Sequence, residues 1–470
     1  MRLILSHRRT KKGFQLCVKN GHFKRNYIYS YPPPVWRGYP EVLKRKLIDN
    51  LSFISAIHLP LKDRNISEIT FSGPRSEAES SYLRNMFYSL PFDAAMISQP
   101  TSEYFRRLIN TKLTYLRNPR SERTQPPKVN LNNKSAVIPF TFGKDSLLTF
   151  ALCRELGIKT KLLFFIEPKE TYALKHKREV AANFEKEFKV KIDFINNPAG
   201  DLRDTSAGNG WFGWELLLTS FNLLSLPFAF KHRAKYILFA NEASCNESAS
   251  TADGFNYNPA YEQSEIWTRE LDIINRSVSG LPVTVASLIG SLNDLAIIKI
   301  LHARYPEIGK YQISCFADRK EAKFKRWCSA CSKCARIYIL LLANGVDPMT
   351  LGFENDMLSI KYRHLYSIFG EKSGQEGYDA TDIGREEQLL SFLLAYRHGV
   401  RGDLMSEFID RYFGWVKNKE NSLRRRFYSI QPSGVMPAEY KAKINRIFRQ
   451  SLGPLTVGEF CPPQPRPATE

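Results

Sequence analysis

The stretch Ala136-Val-Ile-Pro-Phe-Thr-Phe-Gly-Lys-Asp-Ser-Leu-Leu-Thr-Phe150 decides how this chain is read. An apolar run ends at Phe140, a short turn carries Gly143, Lys144, Asp145 and Ser146, and a second apolar run follows. The pattern predicts a strand over 136–140, a tight turn, and a helix over 146–156 closed by Gly157. A turn between a strand end and a helix start is a seat for an anion. The first N–H groups of the helix have no partner within it, and the helix dipole favours negative charge there. Gly143 lets the backbone approach a ligand closely. Lys144 adds positive charge, and Ser146 offers a hydroxyl to a phosphate oxygen. Asp145 is out of place beside phosphates unless Mg2+ lies between them, since magnesium takes one or two carboxylates plus phosphate oxygens.

Outward from this turn the same alternation continues. Strands are expected over 161–166, 191–195 and 235–240, and helices over 171–188 and 211–230. Repeated βαβ units imply an α/β fold with a parallel sheet covered by helices. Ligands of such sheets bind beyond the carboxyl ends of the strands, and 136–146 is such an end. Upstream, residues 1–130 read as a mixed α/β N-terminal domain. It carries the proline run at Pro32-Pro-Pro34, a strand over 67–72 and a helix over 76–90. The polar stretch 118–134 reads as a linker. The parallel-sheet domain is assigned to 131–345. Residues 346–470 read as helical and basic around Arg424-Arg-Arg426, with a proline-rich tail over 461–467.

The chain has 470 residues, a 43% apolar fraction and a formal charge of +21. The length and apolar content suit a folded protein with two or three domains rather than a disordered chain. The charge suits an anionic partner, either a nucleotide-linked small molecule, nucleic acid or an anionic membrane surface; general basicity of the source proteome accounts for it equally well. The start Met1-Arg-Leu-Ile-Leu-Ser-His-Arg-Arg9 lacks the apolar core of a signal peptide. The most apolar runs, 216–230 and 337–342, are shorter than the roughly 20 residues of a membrane span. A cytoplasmic protein is expected.

Four of the eight cysteines cluster: Cys315, Cys328, Cys331 and Cys334. A disulfide framework would spread its cysteines through a short secreted chain. Four thiolates at this spacing instead fit a closed tetrahedral metal site, expected to hold a structural Zn2+. An iron–sulfur cluster also accepts four cysteines.

Two nucleotide signatures are excluded: no glycine lies five residues before Gly143, as the Walker loop requires, and Gly-x-Gly-x-x-Gly is absent. Thr141-Phe142-Gly143-Lys144-Asp145-Ser146 resembles the pyrophosphate (PP) loop of the ATP pyrophosphatase superfamily, Ser-Gly-Gly-x-Asp-Ser. It departs from that pattern at Phe142, where the family has glycine. The loop together with the late cysteine cluster is similar to 7-cyano-7-deazaguanine synthase. A fuller resemblance runs through Asn241-Glu242-Ala-Ser244, Tyr261-Glu-Gln-Ser264, Ser314-Cys315 and Arg326-Trp-Cys328-Ser-Ala-Cys331-Ser-Lys-Cys334. In this order the segments resemble the UDP-N-acetylmuramoyl-L-alanyl-L-glutamate epimerase family. That resemblance implies an ATP- and Mg2+-dependent isomerase of peptidoglycan precursors. It implies ATP binding by Thr141, Phe142, Gly143, Lys144, Asp145, Ser146 and Asn241, with Lys144, Asp145, Ser146 and Glu242 in catalysis.

Alternatives stay open. The same loop serves amide- or nitrile-forming ligases, and a basic RNA-binding or RNA-modifying protein could carry a loop that has lost catalysis. Tyr261, Glu262 and Ser264 read either as ligand contacts or as structural residues. Asp294 reads as a helix cap or a ligand contact. His232 and His302 read as packing or surface residues. Arg319 and Lys320 read as a solvated loop or a phosphate grip.

Overall fold

A computed structural model describes residues 1–453 except 22, 97–98, 118–128, 169–171, 204–212, 252, 316–319 and 371–380. The first part of the chain builds a five-stranded mixed sheet: β1 (Arg2–Thr10), β2 (Gly13–Asn20), β3 (Phe23–Ser30), β4 (Glu68–Phe71) and β5 (Lys112–Tyr115). Its order is β3-β2-β1-β4-β5, with β1 antiparallel to β2 and parallel to β4. Two long helices lie in this part, α1 (Glu41–Ile54) and α2 (Glu79–Met96). The proline run opens the short helix Pro33–Gly38, where proline's fixed φ and missing N–H cost nothing.

The second sheet comprises β6 (Asn132–Pro139), β7 (Lys159–Ile166), β8 (Ile192–Asn196) and β9 (Ala234–Leu238), then, after the two-residue hairpin strands β10 (Ala249–Ser250) and β11 (Asn256–Tyr257), β12 (Thr284–Ala286). It is entirely parallel and runs β12-β9-β6-β7-β8. The chain moves from β6 out to β8, then returns to the other side of β6. The change of direction falls between β6 and β9, which is where open α/β sheets bind ligands. Its helices are α3 (Lys144–Glu155), α4 (Tyr172–Phe188), α5 (Trp214–Lys231), α6 (Glu265–Ser279), α7 (Asp294–Arg304) and α8 (Ser332–Ala343). The helical region follows as α9 (Asp382–Arg397), α10 (Asp403–Tyr428) and α11 (Ala438–Leu452). None of the helices among the described residues is long and apolar enough to cross a membrane.

Alternation within the strands shows why these sequences are apolar throughout. Ala136, Ile138, Leu162 and Phe164 enter one core, shared with α3, α4 and the helices from α7 onward. Val137, Leu163, Phe165 and Ile237 enter the other, shared with α5, α6 and the N-terminal sheet. Successive side chains point to opposite faces, so a strand covered on both sides cannot alternate with polar residues. Helix α5 is buried nearly all round, because the parallel sheet lies on one side of it and α1 on the other. Phe221 of α5 stacks on Phe165 at 4.3 Å, while Phe228 meets Tyr31 at 5.9 Å.

Several expected boundaries move. The expected linker ends sooner than read, since Asn132–Lys134 already belong to β6, where Asn132 N–H donates to Arg233 O. Helix α3 starts at Lys144, so the basic and acidic residues of the turn are already helical. Helix α2 continues through Pro91 to Met96. Most of the expected linker and the 461–467 tail lie outside the described residues.

Candidate functional site

Strand β6 ends at the direction change of the sheet, and the chain turns through 140–143 into α3. Phe142 has φ 61°, a left-handed conformation that a side chain ordinarily disfavours and glycine adopts freely. The departure from the family pattern therefore sits at the one loop residue whose backbone calls for glycine. Aromatic packing holds it. The Phe142 ring is fully buried, edge-on to Phe140 at 4.8 Å and to Phe184 of α4 at 5.5 Å. Gly143 caps α3 with an extended backbone. A Cβ there would lie 3.3 Å from Thr141 Oγ1, a tight approach.

The loop is tied by its own hydroxyls. Gly143 N–H donates to Thr141 Oγ1 at 3.3 Å, and Thr141 N–H to Ser146 Oγ at 3.3 Å. Ser146 donates to Gly143 O at 3.1 Å. Thr141 and Ser146, the two hydroxyls of the signature, thus face each other across the first turn.

Lys144 turns inward. Its Nζ lies 2.6 Å from Asp145, 3.3 Å from Glu242 and 2.5 Å from Asp294. Glu242 follows β9, so the strands on either side of the direction change both contribute. Asp294 is wholly buried, and its second oxygen takes an ion pair from Arg336 of α8. Burial works against the Lys144 charge, but Asp145 and Glu242 outweigh it and raise its pKa. Burial, helped by the Glu242 charge, pushes the Asp145 carboxyl upward against the pull of Lys144, although its side chain stays 30% exposed. Asp145, Glu242 and Asp294 each present an oxygen within 4.8 Å of the others, a spacing that a metal ion could share.

The four cysteines also converge, with all Sγ atoms within 4.8 Å of one another. Cys328 Sγ is 3.5 Å from Cys331 Sγ and 3.6 Å from Cys334 Sγ. Tetrahedral bonds of about 2.3 Å would separate the sulfurs by about 3.8 Å, so the thiols fit a four-coordinate ion. Cys331 stands at the cap of α8 and Cys334 in its first turn, Ser329 turns the knuckle with φ 50°, and Trp327 anchors it by stacking on Phe353 at 4.2 Å. Hydrogen bonds from Cys328, Cys331 and Cys334 hold the Cys315 thiol far below its usual range.

Other singled-out residues have structural partners. The Asn241 amide donates to Thr268 Oγ1 at 2.9 Å and is buried, tying the end of β9 to α6. Tyr261 donates to Asn85 of α2 at 2.7 Å, and Ser264 caps α6 by accepting from Trp267 N–H. Asn293 occupies the cap position of α7, and Asp294 stands inside the helix as an ion-pair partner. His302 is fixed by Gln312 at 2.8 Å. Arg319 lies outside the described residues.

Sequence reading missed two features. Ser314 accepts the Lys144 N–H at 3.3 Å, so the residue before Cys315 belongs to the loop. A second acidic cluster lies between α2, α5 and the turn before α6. Asp93 and Glu215 are 4% and 1% exposed, beside Glu262. Burial raises Asp93 well above its usual range, and Glu215 and Glu262 to about 7. The nearby Arg203 already bridges to Glu167 at 3.0 Å. A lone glutamate at the head of an apolar helix was the sequence signal.

A surface groove of about 690 Å3 opens elsewhere, along α4 between Lys186, Lys189, Lys310 and Arg326. It includes none of the loop residues, and its lysines read as a solvated face. The cluster around Lys144 is the better candidate because its charges are buried, convergent and placed at the direction change of the sheet. Neither models of known families nor curated proteins match this chain.

Proposed function

We propose that this chain is a PP-loop enzyme that uses ATP and Mg2+ to adenylate a substrate carboxylate, and that it epimerises the terminal L-glutamate of a UDP-N-acetylmuramoyl-peptide. The observation that carries the reading is Lys144 at the head of α3, buried among Asp145, Glu242 and Asp294 at the direction change of a parallel sheet.

The first turn of α3 and the hydroxyls of Thr141 and Ser146 would take the pyrophosphate of ATP. Lys144 would release its carboxylates and carry its charge to the phosphates. Asp145, Glu242 and Asp294 would then hold Mg2+, which offsets phosphate charge and polarises the reacting phosphorus. A carboxylate oxygen of the substrate attacks the α-phosphorus, and pyrophosphate leaves. The acyl-adenylate makes the neighbouring C–H acidic, so a base can remove that proton and a proton can return from the opposite face. Hydrolysis of the acyl-adenylate releases AMP and the inverted glutamate. The four cysteines would hold a structural Zn2+, since four thiolates leave no open position for chemistry.

A deazaguanine-nitrile-forming ligase shares the activation step but consumes ammonia instead of exchanging a proton. The experiment separating these readings incubates the protein with ATP and Mg2+ plus UDP-muramoyl-dipeptide, carboxy-deazaguanine with ammonium, or bulk tRNA. The expected outcome is AMP and pyrophosphate release with the muramoyl peptide, together with deuterium incorporation at the glutamate α-carbon in D2O. Both signals should vanish in Ser146→Ala and Asp145→Ala. Release with carboxy-deazaguanine alone would move the assignment to the ligase. Salt-sensitive tRNA binding without ATP turnover would support an RNA-binding protein.

A further inference from the structure

The segment entering the cysteine knuckle is bound to the loop at consecutive residues. Ile313 N–H donates to Phe142 O at 2.8 Å, and Ser314 Oγ accepts the Lys144 N–H at 3.3 Å. Ser314 also accepts from Gln312 Nε2 at 3.1 Å, and Gln312 is itself fully buried and fixed by His302. Two N–H donors therefore occupy the acceptor side of the Ser314 hydroxyl. Its own proton has no acceptor among the described residues, although the side chain is in a residue only 8% exposed. A buried hydroxyl with its lone pairs in use and its proton uncommitted, at a helix N-terminus, is a donor waiting for an anion.

The next residue is Cys315, whose Sγ accepts the Cys328 N–H at 3.5 Å. At the other end of the knuckle, α8 begins at the cysteines and two residues after Cys334 sends Arg336 onto Asp294, which holds Lys144. The knuckle thus reaches the loop from two directions. Four metal–thiolate bonds outweigh a few hydrogen bonds, so the state of the knuckle governs these contacts rather than the reverse.

We propose that Ser314 is an additional pyrophosphate-binding residue, delivered by the cysteine knuckle, so that metal occupancy of the knuckle sets the anion affinity of the loop. This rests on reading Thr141–Ser146 as a pyrophosphate loop. The metal acts there without touching the reacting atoms: it fixes the position of Cys315, and through it of Ser314 and Ile313.

The test uses the full chain and inorganic pyrophosphate as the probe, with calorimetry for affinity and hydrogen exchange for the loop. Ser314→Ala should keep its full metal content while pyrophosphate affinity falls about tenfold, as for loss of one hydrogen bond to a charged group. Chelating the metal from wild type should speed amide exchange over 141–147, with exchange in β1 and β2 unchanged, and should lower pyrophosphate affinity at least as much. Unchanged affinity in Ser314→Ala, or unchanged 141–147 exchange after metal removal, overturns the proposal. If chelation unfolds the whole chain, Ser314→Ala with metal retained decides alone. If metal-loaded wild type binds no pyrophosphate, the loop reading itself falls and this proposal with it; a loop that binds pyrophosphate but ignores Ser314 and the metal sinks only the proposal.

Discussion

Three carboxylates meet in each of two places in this molecule, and the two places resolve their charge differently. Around Lys144, Asp145, Glu242 and Asp294 share one ammonium, and Arg336 adds a second cation. Between α2 and α5, Asp93 and Glu215 feel the charge of Arg203, which also bridges to Glu167 and does not offset the burial they share with Glu262. The first cluster is paired with its two cations. The second is pushed toward the neutral form by burial, with Glu215 and Glu262 raised to about 7. A cluster held by cations can exchange them for other cations. One held by protons responds to pH.

The largest effect should come from removing the shared cation. Lys144→Met leaves the three carboxylates without the ammonium they share and should cost about 3–5 kcal/mol in urea unfolding, the range for breaking a buried ion pair. Millimolar Mn2+ should restore part of that stability in the variant by occupying the three carboxylates. A variant as stable as wild type, and indifferent to Mn2+, would show that Lys144 does not hold this cluster together.

The next effect lies in the second cluster. The folded-state pKa of Glu215 is raised from 4.5 to about 7. The folded state therefore binds a proton more tightly than the unfolded chain does. Its contribution is complete below pH ~4.5 and is lost as pH rises through ~7. That amounts to about 3 kcal/mol at most. Glu215→Gln should match wild type near pH 4 and exceed it by up to that amount at pH 8. Parallel stability–pH curves for the two proteins would remove Glu215 as the responsible group.

The smallest of the three tests concerns Phe142, on the rim of the first cluster. Phe142→Gly relieves a left-handed side-chain strain of about 1–2 kcal/mol but empties a site of the kind that costs about 3–5 kcal/mol when a buried phenylalanine is truncated. A net loss of about 2–3 kcal/mol is expected by thermal or urea unfolding. Pyrophosphate binding should survive, since the glycine keeps the backbone conformation. Loss of binding with retained stability would mean that the ring itself shapes the anion seat.

How these regions were visible in the sequence follows from how local their causes are. The strand, turn and helix at 136–156 depend on neighbours a few residues apart, and the four cysteines announce themselves by spacing. The apolar strands showed burial on both faces without showing what covered them. The tolerance for phenylalanine at position 142 was illegible because its partner, Phe184, lies in a different helix. Asp294 read as a helix cap or a ligand contact, and only the structure gives the cap position to Asn293 and shows Asp294 as an ion-pair partner of Arg336 from α8. Ser314 stood in the Ser314-Cys315 segment of the resemblance with no role assigned to it, and Arg336 carried no signal beyond standing near cysteines. The Asp93–Glu215–Glu262 cluster joins Asp93 to two glutamates more than a hundred positions away, which no periodicity reports.

Helix α5 is buried on both sides, against the parallel sheet and against the N-terminal layer. The parallel-sheet half of the chain therefore lacks a finished surface of its own. A fragment starting at residue 131 would carry the loop, the acids and the cysteines, yet present Phe228, Leu224 and their neighbours to water, and should aggregate. The fragment ending at residue 130 would offer the matching face. Expressed together, the two halves should find each other and reassemble, making this a natural candidate for a split reporter whose signal depends on one apolar seam.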